Sequence, residues 1–323
     1  MYGEEGNEVR VGIDIGGMSV KIGLVDKQGI AAKSVIKTAS ASQTPYELIE
    51  QMADAVSSLL RENSVEPESC EGIGIACPGT VDAQSGIVAY SNNLGWENVA
   101  ILEAMRERMA VSTPMALAND ADAAALGEVL CGAAKGKDSA VLLTLGTGVG
   151  GGVIMNRKIF SGFLRGGCEM GHMAIERNGR RCTCGRRGCL EMYASATALM
   201  EHARAVAAEH PQSLLCTLSG GRISDIDGKV IFEARKRNDA SAGLVVDEYL
   251  ENLSIGIANI VNIFRPEIVI LGGGVSAQKE YLTRELQRRV EGKCFGGTHG
   301  QIPPIVTSEL GNDAGIIGAA YLM

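Results

Sequence analysis

The sequence has no excess of positive charge and no apolar run long enough to cross a membrane. Its 30 Lys and Arg stand against 38 Asp and Glu, and this formal net charge of −8 gives no long-range attraction for nucleic acid or anionic lipid. The longest weakly polar stretch, residues 140–155, is interrupted by five Gly and two Thr. Residues 1–10 carry three Glu and no apolar segment, so we expect no signal peptide and a cytoplasmic protein.

The P-loop motif G-x4-G-K-[ST] is also missing, and no Pro-rich or Ser-rich linker divides the chain. Glycine is abundant instead, at 42 of 323 residues, which indicates many turns that another molecule can approach closely. The nine cysteines are an odd number, so they cannot all pair within the chain. This pattern is typical of a protein from a reducing compartment.

Strands and helices alternate along the chain, which predicts an α/β architecture. A β-branched run from Val9 ends in a Gly pair and is followed by a returning strand, and residues 140–159 repeat this pattern. We interpret the repeat as an internal duplication. The predicted domains are an N-terminal lobe of residues 1–118, completed by a C-terminal helix at 312–323, and a second lobe of residues 119–311 with an insertion at 166–191.

One imidazole and three thiols lie close together in the insertion: His172, Cys182, Cys184 and Cys189. Zn²⁺ binds such Cys3His sets tetrahedrally, and a site with four protein ligands and no open position is structural. The alternative is a chance cluster or a redox-labile pair of thiols. The other cysteines lie outside this cluster in the sequence and are predicted to be small core residues: Cys70, Cys77, Cys131, Cys168, Cys216 and Cys294.

Three short glycine segments, at 16–17, 146–148 and 272–274, each end an apolar strand. Free backbone N–H groups and absent side chains allow a phosphate or a nucleotide ring to approach closely, although each segment alone could be a tight turn. Asp14 precedes the first segment and can hold a hydrated Mg²⁺. The three segments together favour nucleotide binding.

Four further polar residues are candidates for the chemistry. Asn119 and Asp120 stand where a strand meets a helix, and Asp120 can either face a cleft or serve as a helix cap. Glu169 beside His172, and Glu191 just after Cys189, can form a zinc-supported cluster that hydrogen-bonds several hydroxyls. The alternative for Glu191 is a solvated charge at the start of a helix.

These motifs and their order resemble the ROK family of sugar kinases and repressors, from about Val9 to the C-terminus. The cysteine block and E-x-G-H carry most of the specificity, whereas the glycine segments are shared with all actin-like and hexokinase-like ATPases. The matching motifs are D-I-G-G-x-x-x-K at 14–21, N-D at 119–120, L-G-T-G-x-G-G-G at 145–152, E-x-G-H at 169–172, C-x-C-G-x-x-G-C-x-E at 182–191 and L-G-G-G at 271–274.

The resemblance implies a duplicated ribonuclease-H-like fold of the actin and hexokinase superfamily, with two lobes around a cleft. It implies that Asp120 is the general base, that Asn93, Asn119, Glu169, His172 and Glu191 bind the sugar, and that His172 also binds zinc. It further implies nucleotide contacts from Asp14, Gly16, Gly17, Lys21, Thr147, Gly148, Gly273 and Gly274. One position departs from the family pattern, because Met18 stands where many members have Thr.

The resulting expectation is an ATP-dependent kinase that uses Mg²⁺, contains structural Zn²⁺, forms a homodimer and converts glucose to glucose 6-phosphate. An N-acetylmannosamine or N-acetylglucosamine kinase is the alternative within the same class. A sugar-responsive repressor is disfavoured, because only about eight residues precede the first strand and a basic DNA-binding helix is missing. An actin-like ATPase without a sugar substrate would leave the cysteine cluster and E-x-G-H unexplained.

Overall fold

The computed structural model describes residues 8–38, 43–163 and 166–323, so residues 1–7 and 39–42 of the predicted first lobe and residues 164–165 of the second lie outside the described part. The chain divides into two compact units. The first comprises Met1–Leu142, Gly152–Cys168 and Glu309–Met323, and the second comprises Leu143–Gly151 and Glu169–Ser308. The first unit therefore continues past residue 118, and the predicted boundary between two lobes stays a prediction.

The described residues contain thirteen strands and ten α-helices. The strands are β1 (Arg10–Ile15), β2 (Ser19–Asp26), β3 (Gly29–Lys37), β4 (Gly72–Cys77), β5 (Thr80–Asp82), β6 (Ile87–Ser91), β7 (Trp96–Val99), β8 (Met115–Asn119), β9 (Ala140–Leu145), β10 (Val149–Met155), β11 (Lys158–Ile159), β12 (Val269–Gly272) and β13 (Ile305–Thr307). The helices are α1 (Pro45–Glu62), α2 (Ile101–Met109), α3 (Asp120–Cys131), α4 (Glu191–Ala194), α5 (Ala196–Glu209), α6 (Leu214–Leu218), α7 (Gly228–Lys236), α8 (Ala240–Phe264), α9 (Lys279–Glu291) and α10 (Ala314–Ala320).

Two five-stranded sheets share one topology. The first has the order β3-β2-β1-β4-β8, in which β1, β2 and β3 pair antiparallel while β1, β4 and β8 run parallel. The second has the order β11-β10-β9-β12-β13. If each sheet is numbered from its own first strand, both read 3-2-1-4-5, so the predicted duplication and the α/β class are confirmed. A third sheet, β5-β6-β7, was not predicted from the sequence.

Helix α1 shows why local sequence rules hold in this fold. Thr44 caps it, with its side chain accepting from Glu47 N–H while the Glu47 carboxylate accepts from Thr44 N–H, and Pro45 occupies the first helical position. The apolar stripe along one face is buried as the periodicity predicts: Leu48, Ile49, Met52, Val56, Leu59 and Leu60. This stripe belongs to the core under the first sheet.

The C-terminal helix α10 packs on β4 without intervening side chains. A Cβ at Gly74 would collide with Ala319 O, and a Cβ at Gly318 would collide with Ala123 O in α3. Glycine at these positions lets the backbones come together. This packing places α10 and α3 in the first unit.

None of the nine cysteines forms a disulfide bond. No helix of the described residues is both long enough and apolar enough to cross a membrane. Cys70, Cys77 and Cys294 are buried, as predicted. The prediction of a core position is wrong for Cys131, which is exposed at the last residue of α3.

Candidate active site and metal centre

Asn119, and not Asp120, is the N-cap of α3. Its Oδ1 accepts from Ala121 N–H at 2.9 Å and from Asp122 N–H at 3.3 Å. Its Nδ2 donates to Gly79 O at 3.0 Å, which fixes the turn after β4. Asp120 is the first residue of the helix and is half-buried, with Oδ1 2.9 Å from Ala121 N. The helix cap is therefore the amide of Asn119.

The surroundings of Asp120 keep a neighbouring thiol neutral. Burial, followed by the negative charge of Asp120, raises the pKa of the Cys77 thiol at the end of β4. Gly167, with φ +81°, lies over the same end of α3, because a Cβ there would stand 2.6 Å from Asp122 Oδ2. Neither the Gly79 nor the Gly167 contact was predicted. A positive φ leaves no sequence signal beyond the glycine itself.

The turn between β1 and β2 carries the first predicted phosphate-binding group. Gly16 N–H donates to Ser19 O at 2.9 Å, and a Cβ at Gly17 would meet nothing within 4 Å. Asp14 and Lys21 face each other across the two strands and form an ion pair of 3.2 Å. The structure thus brings these four predicted residues together at one end of the hairpin. Asn93 lies elsewhere in the first unit, exposed in the turn between β6 and β7.

The second unit brings the four predicted metal ligands together. His172 ends a short 3-10 helix, Met170–His172, and the three cysteines lie in the loop before α4. The four ligand atoms all lie within 4.8 Å of one another. Within the described residues, this is the one group of at least three His, Cys, Asp or Glu side chains placed to hold a metal ion.

Two of the interatomic distances match a tetrahedral zinc site. Bonds of about 2.3 Å to sulfur and about 2.0 Å to nitrogen give edges of about 3.8 Å for two sulfurs and about 3.5 Å for sulfur and nitrogen. Cys184 Sγ and Cys189 Sγ are 3.7 Å apart, and His172 Nδ1 and Cys182 Sγ are 3.6 Å apart. The chemistry of this donor set and these two distances are therefore compatible with Zn²⁺.

The thiols of the cluster differ in acidity. A hydrogen bond from the Arg186 backbone lowers the pKa of the exposed Cys184 thiol, whereas burial raises the pKa of Cys189. A metal ion takes thiolates as ligands, so its binding displaces the Cys189 proton and depends on pH. The loop is preformed by Cys182 N–H donating to Arg186 O at 2.8 Å, and Gly185 there has φ +86°.

Glu191 begins α4 and is half-buried rather than solvated. Its Oε2 accepts from Val149 N–H at 3.0 Å, and its Oε1 lies 3.9 Å from Cys182 Sγ. The structure thus brings Glu191 into contact with one predicted metal ligand, Cys182, and with the glycine turn between β9 and β10. Glu169, by contrast, is exposed at the start of the 3-10 helix.

The predicted nucleotide residues of the second unit lie in two turns. Thr147 is exposed in the turn after β9, where Gly146 N–H donates to Gly148 O at 3.0 Å. Gly273 follows β12 with φ +81°, and a Cβ there would approach Leu145 O to 2.5 Å. A Cβ at Gly274 would meet nothing within 4 Å. The β9 and β12 ends therefore lie against each other, with exposed backbone beside them.

Comparison with known proteins identifies the family. The ROK family model matches residues 10–323, so the chain belongs to the ROK family. It is 36% identical to a glucokinase of Thermotoga maritima, over 97% of this chain and 96% of the relative. The crystal structure of a ROK family glucokinase from Streptomyces griseus, in complex with glucose and AMPPNP, is 31% identical with a TM-score of 0.82, covering 97% of this chain and 98% of that chain. A protein from Listeria monocytogenes described as a candidate N-acetylmannosamine kinase is 26% identical with a TM-score of 0.76, covering 97% and 98%.

Proposed function

We propose that this protein is an ATP-dependent hexose kinase that phosphorylates glucose at its 6-hydroxyl. The observation that carries the proposal is the similarity, over nearly the whole of both chains, to a glucokinase and to a glucokinase structure with glucose and an ATP analogue. The roles of individual residues below are assigned from the resemblance of this chain's motifs to those of the ROK family.

Asp120 is assigned as the general base that accepts the proton of the 6-hydroxyl. Two observations support this role: the carboxylate follows the end of β8 directly, and Asn119 already caps α3. Proton transfer to a positioned carboxylate contributes roughly 10²- to 10⁴-fold to a rate. Asn93 and Asn119 are assigned to the sugar, together with Glu169, His172 and Glu191.

The glycine turns are assigned to the nucleotide. Gly16, Gly17, Thr147 and Gly148 offer backbone N–H groups to phosphate oxygens, and Gly273 and Gly274 leave room for adenosine. Asp14 would hold a hydrated Mg²⁺, which neutralises phosphate charge when bound. Lys21, paired with Asp14 at 3.2 Å, would hold that carboxylate in place. Catalysis then consists of positioning and electrostatic stabilisation.

Zinc is assigned a structural role in the cluster of His172, Cys182, Cys184 and Cys189. A site with four protein ligands leaves no position for substrate, so the ion orders the loop and takes no part in phosphoryl transfer. The segments that it orders carry Glu169 and Glu191. A homodimer and a cytoplasmic location complete the proposal, by analogy with the family alone.

Kinetics of ADP release with different sugars test the proposal. We expect turnover that depends on both ATP and glucose. The second candidate, an N-acetylmannosamine kinase, is favoured by the similarity to the Listeria monocytogenes protein. It predicts turnover with the N-acetyl sugar in place of glucose. A protein that hydrolyses ATP at the same rate with and without every sugar would contradict both candidates.

A further inference from the structure

The carboxylate of Glu191 connects the metal centre to the glycine turn after β9. Its Oε2 accepts a hydrogen bond from Val149 N–H at 3.0 Å, while its Oε1 lies 3.9 Å from Cys182 Sγ. Gly148 makes this geometry possible, because a Cβ at that position would collide with Oε2. One side chain thus touches both a predicted metal ligand and the end of the turn.

The carbonyl of Val149 lies against the segment that carries His172, the fourth predicted metal ligand. A Cβ at Gly171 would collide with Val149 O, so the 3-10 helix Met170–His172 lies directly against this carbonyl. His172, the last residue of that helix, supplies the imidazole of the cluster. Both polar groups of the Val149 backbone are therefore flanked by segments that carry metal ligands.

The turn between β9 and β10 is fixed at its base and accessible at its tip. Ala196 N–H donates to Gly146 O at 2.8 Å, and Gly146 N–H donates to Gly148 O at 3.0 Å. Thr147 is exposed, and a Cβ at Gly146 would meet nothing within 4 Å. A turn whose base is held by hydrogen bonds and whose tip is exposed can bind an anion through its backbone N–H groups.

We propose that Glu191 is a positioning residue for the turn at 146–149, and that the metal centre fixes this turn by holding Cys189, which precedes Glu191 by two residues. The inference rests on the proposed function, in which the turn binds the phosphates of ATP. It assigns the metal centre a part in nucleotide affinity in addition to sugar affinity. A Glu191 that touched only the sugar would affect sugar affinity alone.

Nucleotide binding without sugar separates these two roles. Isothermal titration of AMPPNP with Mg²⁺ into wild-type protein and Glu191→Ala should show a Kd raised roughly tenfold or more, because a hydrogen bond to a charged group is lost. The matched control is Glu169→Ala. Glu169 belongs to the same predicted sugar set, but among the described hydrogen bonds none joins it to the turn, so the nucleotide Kd should stay unchanged.

Two conservative variants separate the effect of the length of the Glu191 side chain from the effect of its charge. Glu191→Gln keeps a side-chain oxygen at the same distance and should bind nucleotide within about threefold of wild type, as a neutral acceptor can replace the charged one. Glu191→Asp keeps the charge but is one methylene too short for Val149 N–H, so its Kd should rise like that of Glu191→Ala. The opposite order, with Asp restoring affinity and Gln failing to, would overturn the proposal.

Metal removal completes the test. After zinc is removed with a chelator, the chelator is dialysed away and Mg²⁺ is restored. AMPPNP should then bind more weakly to wild type, with little further effect in Glu191→Asp, because the two changes act through the same contact. Zinc content is measured in every variant. If wild type binds no nucleotide, the proposed function fails. If wild type binds but Glu191→Ala and Glu191→Asp bind equally well, the positioning role is refuted while the kinase assignment stands.

Discussion

Replacing Asp120 with Asn keeps the size of the side chain and removes its ability to accept a proton. If Asp120 is the general base, kcat should fall roughly 10²- to 10⁴-fold, which corresponds to about 2.7–5.4 kcal/mol of activation free energy. The effect on folding should be far smaller. Asn119 still caps α3, and the weakened interaction of the side chain with the helix dipole costs about 0.3–1 kcal/mol.

The matched control is Asn119→Ala, which removes the cap and leaves Gly79 O without its side-chain donor. Its free energy of unfolding should fall by about 1–2 kcal/mol, more than that of Asp120→Asn. Coupled ADP-release kinetics and urea unfolding measure the two effects. An Asp120→Asn protein that keeps more than about a tenth of wild-type kcat would refute the base assignment and leave Asp120 only a structural role.

Three further predictions concern the metal, the packing of α10 and the sugar. Cys184→Ser should reduce the zinc content, which we expect to be about one ion per chain in wild type, and it should weaken sugar binding. It should also lower the melting temperature by more than about 5 °C. Full metal content with an unchanged melting temperature would contradict a structural zinc. Gly74→Ala should lower the free energy of unfolding in urea by about 1–3 kcal/mol, because its Cβ collides with Ala319 O, whereas Gly17→Ala should change it by less than about 0.5 kcal/mol. The ratio of kcat/KM for glucose over N-acetylmannosamine should approach about 10⁴. The reason is that a site that hydrogen-bonds a free 2-hydroxyl would leave its own polar group unpaired when the N-acetyl sugar binds. An N-acetyl sugar preferred by about a hundredfold would reverse the substrate assignment.

Sequence alone predicts those features that depend on residues close together in the chain. The cap and stripe of α1 follow from neighbouring residues, and His172, Cys182, Cys184 and Cys189 are near enough for their spacing to imply a cluster. The repeated hairpin predicts the duplicated sheet because each hairpin is one continuous segment. The third sheet is the exception, since β5, β6 and β7 have only three to five residues each and little periodicity to detect.

Contacts between distant segments could not be predicted in the same way. The hydrogen bond between Val149 N–H and Glu191 joins residues 42 positions apart, and the only sequence trace of it is the missing side chain of Gly148. The Asn119 contact to Gly79 O spans 40 positions. Many glycines in this chain are turn residues, so none of them identifies its contact before the fold is known.

Sugar-dependent release of ADP is the measurement that tests the central claim most directly. The purified protein with ATP and Mg²⁺ is assayed against glucose, mannose, fructose, allose, N-acetylglucosamine and N-acetylmannosamine, with Asp120→Asn as the inactive control. The proposed function predicts turnover that requires sugar, is highest in kcat/KM for glucose and yields glucose 6-phosphate. ATP hydrolysis that no sugar stimulates, or turnover that Asp120→Asn retains in full, would contradict it.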